Sequence, residues 1–247
     1  MTSRPTPWSL HGSRVHLACG QLAAEFDLRD FVLGVHGLNW AGSPLKERIL
    51  GPQLPQVVNG QFAITECYAR GDDFVVSCER PGPLPLVPQF YWRARPSESH
   101  AAVGIELIIS MRTDLLDSQP ETRVETFVRS EEAIVALRQQ IDAFHRASPA
   151  KLNRADLAAG DVPAFLFRKA GVSYFQVVHP DDFFTVELGL WRKRYPRLTT
   201  TLFPDRLEKG VIRRARICGW FLPAENDLAV AVELARQFVD EPLPLTA

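Results

Sequence analysis

Apolar and polar residues alternate along much of the chain, most clearly between residues 171 and 191. A period of two is typical of half-buried β-strands. Two such runs flank the sequence HPDD at 179–182, where the proline suits the second position of a type I turn. The pattern predicts a β-hairpin over 171–191, with Val177 opposite Phe184 and Phe175 opposite Val186.

The predicted hairpin has two different faces. Its apolar face requires a second layer of structure to cover it. This face carries Phe175, Val177, Phe184, Val186, Leu188 and Leu190. The opposite face carries Tyr174, Gln176, Thr185, Glu187 and Trp191. It fits either an ordinary solvent-facing sheet or the floor of a polar ligand site.

Further runs with strand character cover most of the chain. They lie at residues 14–19, 21–28, 31–36, 38–40, 62–69, 74–79, 90–95, 103–112, 198–203 and 211–221. A Gly-Asp turn predicts a second hairpin over 62–79, with Cys67 opposite Val76 and Cys78 opposite Thr65. Several prolines predict a loop at 41–55, because proline is excluded from central strands.

Helical spacing is confined to two segments. Ser130 precedes two glutamates and predicts an N-cap for a helix over 131–146. Residues 226–239 alternate like a strand but also follow helix spacing after Asn226, and we favour the helix. The sequence therefore predicts an all-β protein, a large antiparallel β-sandwich with one or two short helices. A single domain is expected over residues 1–247, since either half alone would need a partner layer.

Composition excludes several classes of function. The 247 residues have a hydrophobic fraction of 46% and a net charge of −1. The charge argues against a nucleic-acid partner. The chain has neither a signal-like N-terminal run nor a membrane-length apolar stretch, so no membrane partner and a cytoplasmic location are expected. The oligomeric state stays open.

The four cysteines form no CxxC pair and have no histidine at metal-ligand spacing. Free thiols are expected, with no metal site. The sequence also contains no GxSxG, GxGxxG, phosphate-binding glycine loop or HExxH motif. No cofactor is expected.

His179 is the strongest candidate for proton transfer, because it lies at a turn beside Asp181 and Asp182. The same four residues also make an ordinary turn. Glu187 shares a predicted face with Trp191, which offers a carboxylate and a stacking platform about 12 Å apart. Trp191 also fits a core or edge position. The run WRKRYPR at 191–197 interleaves cations with aromatics; it fits an anion site or a solvated loop.

Taken together, the many strands, the proline-marked edges, the HPDDF turn and the closing sequence PLPL at 242–245 resemble the galactose mutarotase-like β-supersandwich family. This resemblance implies that a sugar binds in a sheet-lined cleft. It also implies a histidine acid and a glutamate base at the anomeric centre. His179 matches the histidine loosely, while the family's second histidine is not evident. Glu187 is the candidate base, although the family's base comes from a later strand, where Glu208 is the other possibility.

Two functional hypotheses follow. The first is a protein that binds a sugar or sugar phosphate, with or without aldose 1-epimerase activity. Its candidate residues are His179 and Glu187 for catalysis and Tyr174, Asp181, Trp191 and Arg93 for ligand binding. The second is a non-catalytic β-sandwich module that binds another protein. A concave pocket holding His179, Glu187 and an arginine favours the first, and a flat exposed aromatic patch favours the second.

Overall fold

The computed structural model describes residues 6–54, 63–79, 86–130, 134–137, 145–146, 150–156, 161–192, 194–203 and 205–242. The strands are β1 Trp8–His11, β2 Arg14–Cys19, β3 Leu22–Asp27, β4 His36–Trp40, β5 Ser43–Pro44, β6 Arg48–Gln53, β7 Ile64–Arg70, β8 Asp73–Cys78, β9 Leu86–Pro96, β10 Val103–Thr113, β11 Thr122–Phe127, β12 Ile134–Leu137, β13 His145–Arg146, β14 Ala150–Asn153, β15 Ala164–Lys169, β16 Val172–Val178, β17 Phe183–Trp191, β18 Tyr195–Leu202 and β19 Ile212–Pro223. The helix α1 spans Asp227–Asp240, and short 3-10 helices span Leu28–Leu33 and Arg154–Asp156.

The described strands form three antiparallel sheets. A five-stranded sheet follows chain order from β1 to β5. A nine-stranded sheet has the order β13-β12-β15-β16-β19-β10-β9-β8-β7, and a second five-stranded sheet has the order β14-β17-β18-β11-β6. The predicted all-β sandwich class is confirmed.

One face of the nine-stranded sheet packs against both five-stranded sheets. Phe26 of β3 contacts Trp92 of β9, with ring centroids 4.7 Å apart. Val186 and Leu198 of the second five-stranded sheet join the same buried cluster as Ile217 of β19. The main core therefore lies between the nine-stranded sheet and the two smaller sheets.

The other face of the nine-stranded sheet is covered along only part of its width. The helix α1 buries Leu234 and Phe238 against Phe175 of β16 and Trp220 of β19. Arg216, 1% exposed, lies below the C-terminal end of this helix and donates to the carbonyl of Phe238. Strands β7 to β10 extend beyond the helix, so their outward side chains form an open sheet face.

The predicted hairpin over 171–191 is wrong, because its two strands belong to different sheets. β16 hydrogen-bonds to β15 and β19 in the nine-stranded sheet. β17 hydrogen-bonds to β14 and β18 in the smaller sheet. The HPDD turn at 179–182 therefore carries the chain from one layer to the other, and Val177 lies opposite Ala164 and Cys218 instead of Phe184.

The predicted faces of this segment change accordingly. Both faces of β16 are buried, since one meets the main core and the other meets α1. The register of β17 shifts between Phe183 and Thr185, which buries Phe183 and leaves Phe184 54% exposed. Leu190, expected to be buried, is 51% exposed.

Three other local predictions are wrong where the structure describes them. The segment expected to be helical at 131–146 contains the strands β12 and β13. The expected loop at 41–55 contains β6, which tolerates Pro52 because β6 lies at the edge of its sheet. The expected strand at 31–36 is largely replaced by the 3-10 helix Leu28–Leu33.

The hairpin of β7 and β8 is confirmed. Cys67 lies opposite Val76, and Gly71 occupies the turn with a φ of 57°. A register shift near the start of β7 places Cys78 opposite Ile64 instead of Thr65. Cys19, Cys67, Cys78 and Cys218 are free thiols, as expected.

The helix predicted near the C-terminus is also confirmed as α1. Asn226 precedes it with a left-handed φ of 57° but makes no side-chain capping bond. The closing PLPL sequence lies outside the described residues from position 243. Within the described part of the chain, no helix is both long and apolar enough to cross a membrane.

Candidate functional site

The open part of the nine-stranded sheet contains a cleft of about 400 Å³. Its walls and floor come from five neighbouring strands, β7, β8, β9, β10 and β19. The lining residues are Tyr68, Arg70, Asp73, Val75, Gln89, Tyr91, Arg93, Ser110, Ile212 and Arg214. The spacing between strands makes this floor about 19 Å wide.

The register of the sheet explains why these side chains meet. Arg214 lies opposite Ser110, and Ser110 lies opposite Gln89 on the next strand. Tyr91 lies opposite Val75, which in turn lies opposite Tyr68. Residues directly opposite each other on neighbouring strands point to the same face. The cleft floor is therefore built from cross-strand rows of outward side chains.

Arginine dominates the charge of the cleft. Arg70, Arg93 and Arg214 line it together with one carboxylate, that of Asp73. Arg93 donates to both oxygens of Asp73 at 2.7 and 2.9 Å, and this hydrogen bonding raises the pKa of Arg93. One arginine is thus neutralised, and the cleft keeps an excess of positive charge.

Arg214 has an unusual environment at the β19 side of the cleft. Its Nε is buried and has no hydrogen-bond partner among the described residues. A buried donor without a partner is costly, and a ligand that accepts from the guanidinium would reduce that cost. A second depression of about 300 Å³ adjoins the cleft, shares Gln89 and Ser110 with it, and adds Arg112.

The aromatic part of the cleft is held in place by a short chain of polar contacts. The Tyr91 hydroxyl donates to Gln89 Oε1, and Gln89 Nε2 donates to Ser77 Oγ at 2.9 Å. These contacts fix the orientation of the Tyr91 ring. Tyr91 is 7% exposed, whereas Tyr68 is 37% exposed. The accessible aromatic surface beside the guanidinium groups therefore comes from Tyr68.

The structure divides the six residues proposed from the sequence among four places. Only Arg93 lines the cleft. Tyr174 is buried in the main core, where its hydroxyl donates to Gln176. Glu187 and Trp191 lie on the outer face of the second five-stranded sheet, and His179 and Asp181 lie in the turn between β16 and β17.

Glu187 forms an ion pair with Lys151 at 2.8 Å and is half exposed. His179 is partly buried, with its ring 6.4 Å from that of Phe238 in α1. Burial and the neighbouring Arg216 lower the pKa of His179. The structure does not bring His179 and Glu187 into the arginine-lined cleft.

The turn also holds a partly buried carboxyl group, that of Asp182. Asp182 accepts a hydrogen bond from the backbone N–H of Arg216 at 2.9 Å. Burial raises the pKa of Asp182 to about 6. Together with His179 and Arg216, this carboxyl lies where the inter-sheet turn meets the end of α1.

Sequence reasoning missed most of the cleft residues. The available signal was the alternation of polar positions within single strands, such as Gln89, Tyr91 and Arg93 in β9. The other cleft residues can be identified only when the order of the strands in the sheet is known. Within the described residues, no cluster of three or more histidine, cysteine, aspartate or glutamate side chains is arranged to hold a metal ion.

Comparison with known proteins gives a weak structural resemblance only. No family model matches the chain, and no curated protein matches its sequence. Solved structures with a similar fold include a galactose 1-epimerase from Lactobacillus acidophilus NCFM, at 9% identity and a TM-score of 0.45, covering 85% of this chain and 94% of that one.

Two further similar structures are HI1317 and a heparinase III. HI1317 is 7% identical, with a TM-score of 0.40, covering 85% of this chain and 91% of that one. The heparinase III is 10% identical, with a TM-score of 0.39, covering 89% of this chain and 37% of that one. These likenesses concern the fold and carry no argument about activity.

Proposed function

We propose that the cleft on the nine-stranded sheet binds a sugar or sugar phosphate, and that an anionic sugar is the better fit. The observation that carries this proposal is the convergence of Arg70, Arg93 and Arg214 with two tyrosines in one cleft of about 400 Å³. A concave site with a few convergent polar groups is the common form of a small-molecule site.

The charge of the cleft favours an anionic group on the ligand. Asp73 is bound to Arg93, which leaves Arg70 and Arg214 to supply positive charge. A planar guanidinium presents N–H donors that match the oxygens of a phosphate or carboxylate. The Nε of Arg214 supports this assignment because it has no partner in the described structure.

The remaining surface suits a polyhydroxylated ring. Ser110 and Tyr68 contribute hydroxyl groups, and a hydroxyl both donates and accepts hydrogen bonds. The ring of Tyr68, which is 37% exposed, supplies a flat apolar surface on which the C–H face of a sugar can pack. A sugar with one anionic substituent combines these features in a single molecule.

Epimerisation needs an acid and a base placed around the anomeric carbon. His179 and Glu187 lie outside the cleft, and Asp73, the carboxylate in its described lining, is held by Arg93. The proposal is therefore ligand binding at the cleft. Aldose 1-epimerase activity, with His179 as acid and Glu187 as base, stays a prediction that the same experiment tests.

Saturation-transfer NMR on free hexoses and their phosphates tests the proposal. We expect the sugar phosphates to receive saturation from the protein and the neutral sugars to receive less. Arg214→Ala should abolish most of the transfer, because it removes the guanidinium whose Nε has no partner among the described residues. Arg206→Ala is the matched control, since Arg206 is 70% exposed and paired with Asp117 outside the cleft.

The anomeric protons report catalysis in the same spectra. Protein-dependent exchange between the α and β signals would establish epimerisation, and its loss in His179→Ala would identify the acid. Absence of transfer to every sugar and sugar phosphate would contradict the proposal. That result would favour the protein-interaction module instead.

A further inference from the structure

The outer face of the second five-stranded sheet carries a cluster that we call the arginine–aromatic patch. It consists of Phe127, Trp191, Tyr195, Arg48, Arg129, Arg192, Arg194 and Arg197. Part of it is the run WRKRYPR at 191–197, which the sequence left open as an anion site or a solvated loop. The fold adds Arg48 from β6 and Phe127 and Arg129 from β11 and the residues after it.

Guanidinium groups lie over all three rings of the patch. Arg192 lies 4.4 Å from the centre of the Trp191 ring, and Arg48 lies 4.8 Å from that of Phe127. Arg129 lies 5.4 Å from the centre of Tyr195. Cation–π contacts of this length restrict the side chains. The positive charges are therefore partly fixed in position before any partner binds.

The patch has a strong local excess of positive charge, although the chain as a whole has a net charge of −1. Its five arginines are accompanied by Glu125, which accepts a hydrogen bond from Arg197. Arg129 and Arg192 are exposed. Such local asymmetry attracts a partner that carries several negative charges.

A shallow polar groove continues from the patch across the same sheet face. Two adjoining depressions of about 290 and 380 Å³ share Lys151, Glu187, Arg197 and Thr199. Thr185 and Thr201 extend the hydroxyl-lined floor. Trp191 lies six positions after Thr185 in β17, so the groove and patch together extend about 20 Å along this strand.

The floor of this groove favours a glycan over a peptide. It is built mainly from side chains of β17 and β18, which are interior strands of their sheet. Their backbone groups are already paired, so a peptide cannot add there as an extra strand. Threonine hydroxyls and the Lys151–Glu187 pair instead offer donors and acceptors to sugar hydroxyls.

We propose that this outer face binds an acidic polysaccharide, with its carboxylate or sulfate groups on the arginine–aromatic patch and its sugar rings along the threonine-lined groove. The site is separate from the cleft on the nine-stranded sheet, and the proposal does not depend on what that cleft binds.

Affinity electrophoresis with polygalacturonate, dextran sulfate and neutral dextran tests this proposal. We expect the protein to be retarded by the two acidic polymers and not by neutral dextran. Arg129→Gln combined with Arg192→Gln should weaken the retardation at least about tenfold, because each arginine supplies charge-assisted hydrogen bonds. Arg14→Gln combined with Arg236→Gln is the matched control, since both arginines are exposed and lie on β2 and α1.

Several outcomes would overturn the assignment. Lack of retardation by both acidic polymers would do so, as would an equal loss in the Arg14 and Arg236 control, which would indicate a diffuse charge effect. Tighter binding of a single-stranded oligonucleotide would identify a nucleic acid as the partner. Loss of polymer binding in Arg214→Ala would place the polymer in the cleft, which contradicts this proposal while leaving the proposed function intact.

Discussion

Asp182 is partly buried at the point where the chain passes from the nine-stranded sheet to the smaller one. Desolvation favours its neutral form and raises its pKa to about 6 from a usual value of 3.8. The folded protein therefore binds a proton more tightly than the unfolded chain between these pH values. As pH rises through this window the folded state loses stability, and above pH 6 the full cost of the buried charge remains.

Asp182→Asn should accordingly stabilise the protein at pH 7 by about 2 kcal/mol, because the amide oxygen can still accept from the Arg216 N–H and carries no charge. The advantage should shrink as pH falls and be absent near pH 4. Urea unfolding at pH 4, 5, 6 and 7 measures it. The control is Asp181→Asn, whose side chain is 76% exposed. A stability difference that does not change with pH would refute this explanation.

At the scale of elements, Arg216 connects β19 to the end of α1. Its Nη2 donates to the carbonyls of Phe238 and Glu241, and its guanidinium lies 4.8 Å from the centre of the Phe238 ring. The last carbonyls of a helix have no partner within the helix. Arg216 therefore satisfies two carbonyls at the end of α1 and fixes the helix on the sheet.

Arg216→Met should lower the free energy of unfolding by about 2 kcal/mol, because it keeps the side-chain volume but leaves buried carbonyls without donors. Urea unfolding provides the measurement. Arg214→Met, two residues earlier on the same strand face, should not lower the free energy of unfolding, since its buried Nε has no partner to lose. Equal effects of the two substitutions would show that Arg216 does not hold the helix.

Strand pairing could be predicted from the sequence where the partners are adjacent in the chain, but not where they are distant. The β7–β8 hairpin was predictable because its turn requires Gly71 and its strands pair locally. The segment 171–191 also contains two strands joined by a sequence typical of a turn. However, β16 pairs with β15 and β19, and β17 pairs with β14 and β18. Alternation identifies a strand and its apolar face, whereas the pairing partner depends on contacts distant in sequence.

The candidate cleft was unpredictable for the same reason at the scale of the whole molecule. Arg93 could be selected from its aromatic neighbours in β9. Arg214 and Tyr68 come from strands separated from it by many residues, and the sheet order alone places them together. Register also decides which of the consecutive arginines Arg213 and Arg214 faces the cleft.

The main core draws on nearly the full length of the described chain, from Trp8 to Phe221. All three sheets contribute to it, so we expect residues 1–247 to unfold as one domain. Trp8, Trp40 and Trp92 are buried in that core, so tryptophan fluorescence reports on its packing. Unfolding curves from tryptophan fluorescence and far-ultraviolet circular dichroism should coincide. Two separated transitions would show that the chain contains independent domains.

In the open part of the nine-stranded sheet, successive side chains of a strand point alternately to the cleft and to the core. In β9, Gln89, Tyr91 and Arg93 face the cleft, while Phe90 and Trp92 face the core. The contacts of the proposed ligand site and those of the core thus belong to alternate positions of the same strands. Substitutions confined to the outward positions can alter the chemistry of the proposed site while the core stays intact, so this sheet is a suitable scaffold for engineering binding sites.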